Sequence, residues 1–282
     1  METLAVPIQY NSGLKGYTEL EKRLEYLEQK SKEMDESIRY AGSLQQSILP
    51  NDMLFKNAFD DAFVYFQPKD IVSGDFYWIY LHGNDIFFAV GDCTGHGVPG
   101  ALLNIAGNTI LRQIIRQEGI SNPSDVLRLL DNELVDLFNE NLTTGKRRDG
   151  MEIALCKFNL ATRTGQFCGA GRPLILIREG ELIEFKKGSS SIGYEGITDK
   201  HFETIEFPLF EGDSFYLFSD GYTDQFGGEN VKKFNRKRFR NLLSSVNEFP
   251  MEKQRDELAF SYNNWKGCQD QIDDVCVIGV RV

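Results

Sequence analysis

The sequence predicts an α+β fold in which antiparallel sheets are covered by helix pairs, with one long coiled-coil helix in front. Three observations predict it. Aromatic and β-branched segments come in runs joined by short turns, helical segments come two at a time between those runs, and a heptad seam fills residues 17–49. A strict alternation of strand and helix would instead have predicted a parallel sheet.

The long helix comes first. Positions 20, 24, 27, 31, 34, 38, 41, 45 and 48 alternate steps of four and three and carry Leu20, Leu24, Leu27, Ser31, Met34, Ile38, Ala41, Gln45 and Ile48. Charged residues such as Glu21, Arg23, Glu25, Glu28 and Lys30 fill the other faces. A 3.5-residue period held for about four heptads favours a parallel coiled coil, hence a homodimer joined through residues 17–50. The competing arrangement is an amphipathic helix lying on its own domain. Ser31 and Gln45 soften the seam, and Pro50 ends it. Residues 1–16 are expected to be a flexible N-terminus, and residues 51–282 to form the globular domain.

Past Pro50 the period shortens to two. Strands are expected at 62–68 (AFVYFQP), 75–81 (DFYWIYL) and 85–92 (DIFFAVGD), the last two joined by a hairpin turn at His82-Gly83-Asn84-Asp85. Two helices follow, from Val98 to Gln117 and from Pro123 to Asn139, the second capped by Ser121 or Asn122. Strands resume at 151–160, in GQFCGAG, in LILIREG and ELIEF around a Glu179-Gly180 turn, at 202–207 and at 213–220. Helices around 236–246 and 251–265 precede a last strand in DDVCVIGVRV.

Composition limits the function. Of 282 residues 41% are hydrophobic and 26% charged, as in a soluble globular protein, and no apolar run approaches the ~20 residues that span a bilayer. The opening METLAVPIQYNSG lacks the basic start and apolar core of a signal peptide, so a cytoplasmic location is expected. Forty-two acids against 31 bases give a net charge of −11, which disfavours nucleic acid as a ligand. The five cysteines include no CxxC pair, and Cys156, Cys168 and Cys276 lie in strand-like stretches that read as buried, reduced thiols. Three histidines are too few for a His-rich zinc site.

Four aspartates stand at strand ends: Asp75 in Ser73-Gly74-Asp75-Phe76, Asp92 in Val90-Gly91-Asp92, Asp220 in Phe218-Ser219-Asp220-Gly221, and Asp273 before Val275. A single Asp-Gly after a strand is more often a turn than a ligand. Four in one domain point elsewhere, because grouped carboxylates repel unless cations sit between them. Oxygen ligands with few histidines suit Mg²⁺ or Mn²⁺ rather than zinc.

Five motifs follow one another along the chain: GDFYW, VGDCTGHGVPGALL, DGMEIALC, GDSFYLFSDGYTDQFGG and DDVCVIGV. Together with the junction segment SLQQSILP, they resemble the SpoIIE-type, RsbU-like branch of the metal-dependent (PPM) serine/threonine protein phosphatases, over residues 41–282. The resemblance implies an αββα sandwich of two antiparallel sheets flanked by helices, with two divalent cations at one end. Asp75, Asp92, Asp220 and Asp273 take the ligand positions, Asp92 as the bridge, and Cys93 offers its backbone carbonyl. Asp274 is expected to support these groups from behind. The paired cations activate a water that attacks phosphorus in line, without a covalent enzyme intermediate. His96 is a candidate to protonate the leaving serine oxygen, although its Gly-His-Gly setting serves a turn equally well. Lys69 is a candidate for the substrate phosphate or a solvated loop lysine. The implied substrate is a phosphorylated regulatory protein, such as an anti-sigma-factor antagonist.

Three positions depart from the family pattern. Ser73 replaces a common glycine, Glu152 stands where the DGM motif often has Asp, and Ala170 stands where related phosphatases carry an Asp for a third metal. Two ions are therefore expected. The competing functional reading is a catalytically weak dimeric scaffold that keeps the fold. A nucleotide-handling enzyme is disfavoured, since neither GxxxxGK[ST] nor GxGxxG occurs.

Overall fold

The structure is a computed structural model and describes residues 11–51, 53–117, 119, 121–139, 149–186, 188, 190–193 and 200–282. In chain order the elements are α1 (Asn11–Ile48), α2 (Met53–Ala58), β1 (Asp61–Gln67), β2 (Phe76–His82), β3 (Asp85–Cys93), α3 (Gly97–Ile115) and α4 (Pro123–Asn139). Then come β4 (Met151–Asn159), β5 (Thr164–Ala170), β6 (Leu174–Arg178), β7 (Glu181–Phe185), β8 (Ile205–Pro208) and β9 (Ser214–Phe218). The chain closes with α5 (Gly221–Asp224), β10 (Phe226–Gly227), β11 (Lys232–Lys233), α6 (Asn235–Val246), α7 (Met251–Lys266) and β12 (Val275–Arg281).

Two five-stranded antiparallel sheets face each other, in the orders β1-β12-β9-β6-β7 and β2-β3-β4-β5-β8. Side chains alternate along each strand, and both faces are covered, so the strands read as continuous apolar runs. Tyr77, Phe88, Val90, Cys156 and Phe158 of one sheet meet Leu176, Phe215, Leu217, Cys276 and Ile278 of the other in the central core. The outer face of the first packs Trp78, Phe87 and Leu155 under Leu111, Ile115, Leu127 and Leu130 of α3 and α4. The outer face of the second packs Tyr65, Ile177, Tyr216 and Val277 under Phe239, Leu243, Leu258 and Tyr262 of α6 and α7. The order helix pair, sheet, sheet, helix pair is the αββα sandwich. Cys93, Cys156, Cys168 and Cys276 are buried free thiols, and Cys268 is exposed.

The hairpins close as their residues dictate. His82 pairs with Asp85 across a two-residue loop in which Gly83 takes φ +60°. Arg178 pairs with Glu181 across Glu179 and Gly180, both at positive φ, the twist a tight antiparallel hairpin requires.

Two expected boundaries shift. The helix starts at Asn11 rather than Tyr17, so 11–16 is helical where a flexible terminus was expected; after Pro7 no proline or glycine pair interrupts propagation. Residues 1–10 lie outside the described residues. The strand expected at 202–207 is confined to Ile205–Pro208, where it pairs with β5 at the sheet edge. The short α2, α5 and the β10–β11 pair were not anticipated.

The seam of α1 does not lie on the domain. Leu20, Leu24, Leu27 and Met34 are 49–66% exposed, which rules out the amphipathic-helix arrangement for this stretch. Only the C-terminal turns dock. Gly42 packs so closely that a Cβ there would lie 2.8 Å from the Ile71 carbonyl oxygen. Gln45 is buried, donating to the Ser73 carbonyl at 2.7 Å and accepting from the Ser73 N–H at 2.9 Å. The residue expected to soften the seam is instead the peg that fixes the helix to the domain. Among the described residues no helix is long and apolar enough to cross a membrane.

Candidate metal centre

The four aspartates named from the sequence lie at one end of the sandwich. Asp92 is the penultimate residue of β3, and Asp75 immediately precedes β2. The β2–β3 register sets Phe76 against Gly91 and so carries Asp75 toward Asp92. In the other sheet, Asp220 follows β9 and Asp273 precedes β12. These two strand ends are knitted by Ser219 N–H to Cys276 O and Cys276 N–H to Ser219 Oγ, each at 3.0 Å. The sheets then meet, with the Asp220 N–H donating to Asp92 Oδ2 at 3.5 Å. Gly221 lets the chain after Asp220 run close to Asp273 and Asp274, because a Cβ there would lie 2.0 Å from the Asp274 carbonyl oxygen.

The ionisation of these groups reflects their crowding. Burial, reinforced by the Asp92 charge, pushes the Asp75 carboxyl well above the usual carboxylate range. Burial also lifts Asp92 to about 7, where Arg172 opposes the rise and Asp220 and Asp273 add to it. Asp273 is raised as well, by burial first, and Asp220 and Asp274 contribute. Asp75, Asp92, Asp220, Asp273 and Asp274 thus share one acidic cleft.

Asp274 holds the cleft from behind. Its buried carboxylate accepts the Lys69 N–H at 2.7 Å and the Gly74 N–H at 2.8 Å, pinning the loop that presents Asp75. Asn104 of α3 donates to the Ser73 and Asp75 carbonyls at 3.1 and 2.7 Å, which fixes the same loop from the opposite side. The Cys93 thiol is buried beside Phe76 and Ala89 and its pKa is pushed up by burial, which leaves its backbone as the part available to the cleft. The Cys93 carbonyl oxygen lies near Gly74, where a Cβ would come within 3.5 Å of it.

Lys69 is close enough for its charge to oppose the rise at Asp273. His96 stands on the rim, about half exposed, with Nδ1 3.2 Å from Asp70 Oδ2. Ser73 is buried and bonded through its backbone to Gln45, while Ala170 is buried at the end of β5.

The residue missed by sequence reasoning is Arg172. Its side chain is only 4% exposed, and Nη2 donates to Asp92 Oδ2 at 2.5 Å and to Asp220 Oδ2 at 2.8 Å. Its Nε lies 2.9 Å from Glu152 Oε2, in an ion pair without hydrogen-bond alignment. Burial weakens the guanidinium charge, but Asp92, Asp220 and Glu152 more than restore it. The available sequence clue was a basic residue fixed before Pro173, directly after the glycine-rich end of a buried strand.

Among the described residues no three Asp, Glu, His or Cys side chains already close around one point. Between Asp92 and Asp220 stands the guanidinium. The donor set nevertheless fits a divalent cation: every side-chain ligand is a hard oxygen, and Asp75 Oδ2 is buried with no hydrogen-bond partner. Such an oxygen must hold either a proton or a cation.

The family model for stage II sporulation protein E (SpoIIE) matches residues 82–282. The SiaA-PP2C domain of Pseudomonas aeruginosa is 30% identical, with 90% of this chain and 98% of that chain covered and a TM-score of 0.80. The PP2C phosphatase domain of Bacillus subtilis SpoIIE, with a fragment of its regulatory domain, is 20% identical over 78% of this chain and 62% of that one, with a TM-score of 0.62. RsbX in complex with magnesium is 17% identical over 78% and 94%, with a TM-score of 0.53. The last two likenesses show the fold. No curated protein sequence matches the chain.

Proposed function

The chain belongs to the SpoIIE family, a branch of the PPM serine/threonine protein phosphatases, and on that premise we propose that it dephosphorylates a phosphoserine or phosphothreonine in a regulatory protein of the partner-switching type, using two divalent cations. The observation that carries this reading is the position of Asp92. It stands where β3 meets β9, within reach of Asp220 and inside the electrostatic field of Asp75 and Asp273.

Asp75, Asp92, Asp220 and Asp273, with the Cys93 carbonyl, would hold Mn²⁺ or Mg²⁺. When bound, the cations supply an activated water and positive charge for the phosphoryl oxygens. The remaining work is positional. Asp274 and Asn104 fix the Asp75 loop from two sides, and Gln45 locks Ser73, so the first ligand is held before substrate arrives. Lys69, whose charge already reaches the cleft, is assigned to the substrate phosphate. His96, held by Asp70 at the open rim, is assigned to protonate the leaving serine oxygen. The exposed leucine seam of α1 is assigned to homodimerisation.

The test is hydrolysis of p-nitrophenyl phosphate and of a phosphoserine peptide. Turnover should require Mn²⁺ or Mg²⁺, and Asp92→Asn should lower it by roughly three orders of magnitude. A wild-type chain that turns over neither ester with either metal would establish the scaffold reading instead.

A further inference from the structure

Arg172 raises a question that phosphatase chemistry does not answer. It is a fixed, buried cation inside a cleft whose carboxylates are assigned to other cations. Its placement is built into the backbone. Gly171 takes φ +82° and packs on Glu152, where a Cβ would lie 2.5 Å from the Glu152 side chain. The Gly171 N–H donates to Gly188 O at 3.2 Å, and Pro173 stiffens the other side.

The need for a cation there can be read from the register. Asp92 and Glu152 are directly opposite each other on β3 and β4. Like charges in that relation destabilise a sheet. Arg172 removes the conflict by placing Nε at Glu152 and Nη2 at Asp92, and the same Nη2 reaches across to Asp220 on the other sheet. One side chain therefore neutralises three acids and ties the two sheets together at the cleft.

We propose that Arg172 is an internal competitor for the metal site: its guanidinium occupies the Oδ2 atoms of Asp92 and Asp220 that a cation must take. An incoming ion has to displace one charged nitrogen, Nη2, that donates to both of those atoms. The chain then loads only at a raised metal concentration, and its carboxylates stay organised before loading. The inference rests on the dimetal reading given above and adds a residue that sets its threshold.

The experiment measures equilibrium Mn²⁺ binding to the full chain by calorimetry, starting from chelator-treated protein, for wild type, Arg172→Met and Arg172→Lys. Arg172→Met should bind Mn²⁺ about tenfold more tightly than wild type, since a close charge pair no longer has to be broken. Its chelated form should melt below wild type, and saturating Mn²⁺ should remove most of that difference. A purely structural role would lower melting with and without metal and would not tighten binding.

Equal or weaker Mn²⁺ binding by folded Arg172→Met overturns the proposal. So does an effect confined to KM for the phosphopeptide, which would make Arg172 a phosphate-binding residue. If Arg172→Met does not fold without metal, Arg172→Lys decides. It keeps the charge but lacks the fork, so tighter binding than wild type supports the proposal and equal or weaker binding defeats it. Failure of the wild type to bind any Mn²⁺ would remove the dimetal reading as well, so the two failures are distinguishable.

Discussion

Asp92 joins the two sheets, and its protonation connects the site to pH. Its carboxyl titrates near 3.8 in an unfolded chain and at about 7 in the folded one, raised by burial against the pull of Arg172. Between those values the folded protein holds a proton that the unfolded chain has released. Stability of the chelated protein should therefore fall as pH rises from about 4 to about 7. Cation binding runs the other way, because the metal must expel that proton: Mn²⁺ affinity should climb with pH over the same range, with proton uptake by the buffer near pH 6. Calorimetric titration in two buffers of different ionisation enthalpy reads the proton count, and identical heats at pH 6 would contradict the shift at Asp92. At this scale the sequence was most informative about the acids. Asp75, Asp92 and Asp220 were identifiable because each sits beside a glycine at one end of an apolar strand, and Asp273 because it opens the last such strand, places that solubility does not explain. Arg172 escaped because its partners lie 20, 48 and 80 positions away, joined by tertiary register alone.

Elements with a strong period were legible, and elements held by their neighbours were not. β3, β4 and β12 carry long apolar runs and formed almost as read, and α4 runs over the expected Pro123–Asn139. The two-residue strands β10 and β11 have no pattern of their own and exist because Phe226 and Gly227 pair with Lys233 and Lys232. The end of α1 shows the same limit. Heptad logic placed Gln45 on a partner-facing seam, whereas burial against Ser73 placed it in the domain. Gln45→Ala would leave the Ser73 N–H buried without its acceptor, although Asn104 would still serve the Ser73 carbonyl. The expected cost is about 1–3 kcal/mol of stability, with weaker Mn²⁺ binding because Ser73 is two residues from Asp75. Thermal melting with and without Mn²⁺ separates the two effects. A larger loss of stability in the metal-loaded than in the chelated protein would show that the helix end supports the ligand loop. Equal losses would confine Gln45 to packing.

For the whole molecule, the question is whether the helix that leaves the domain is needed by the domain. Three apolar clusters account for the sandwich, and among the described residues the end of the long helix reaches them through Leu49, just beyond the last turn of α1, packed at the margin of two of them. The stretch before Gly42 exposes Leu20, Leu24, Leu27 and Met34 to solvent, and an isolated helix of this length is marginal in water. Its apolar stripe is therefore best satisfied by a second copy of the same stripe. Removing residues 1–40 retains Gly42 and Gln45, the groups that dock on Ile71 and Ser73. The truncated chain should keep its sandwich, melt within a few degrees of the full chain and sediment as a monomer where the full chain sediments as a dimer. Sedimentation equilibrium at micromolar concentration reads the mass directly. A full-length chain that is already monomeric would dismiss the seam as an interface. A truncated chain that remains dimeric would move the interface onto the sandwich. Comparing Mn²⁺ affinity of the two lengths then tests the connection between helix and cleft. Among the described residues the Gly42–Ile71 approach, the Gln45–Ser73 pair and the packing of Leu49 link the helix to the domain, and all are retained after truncation. A change in affinity would therefore mean that dimerisation strains the docked end of α1, and unchanged affinity would mean that the seam joins two copies without reaching the metal site.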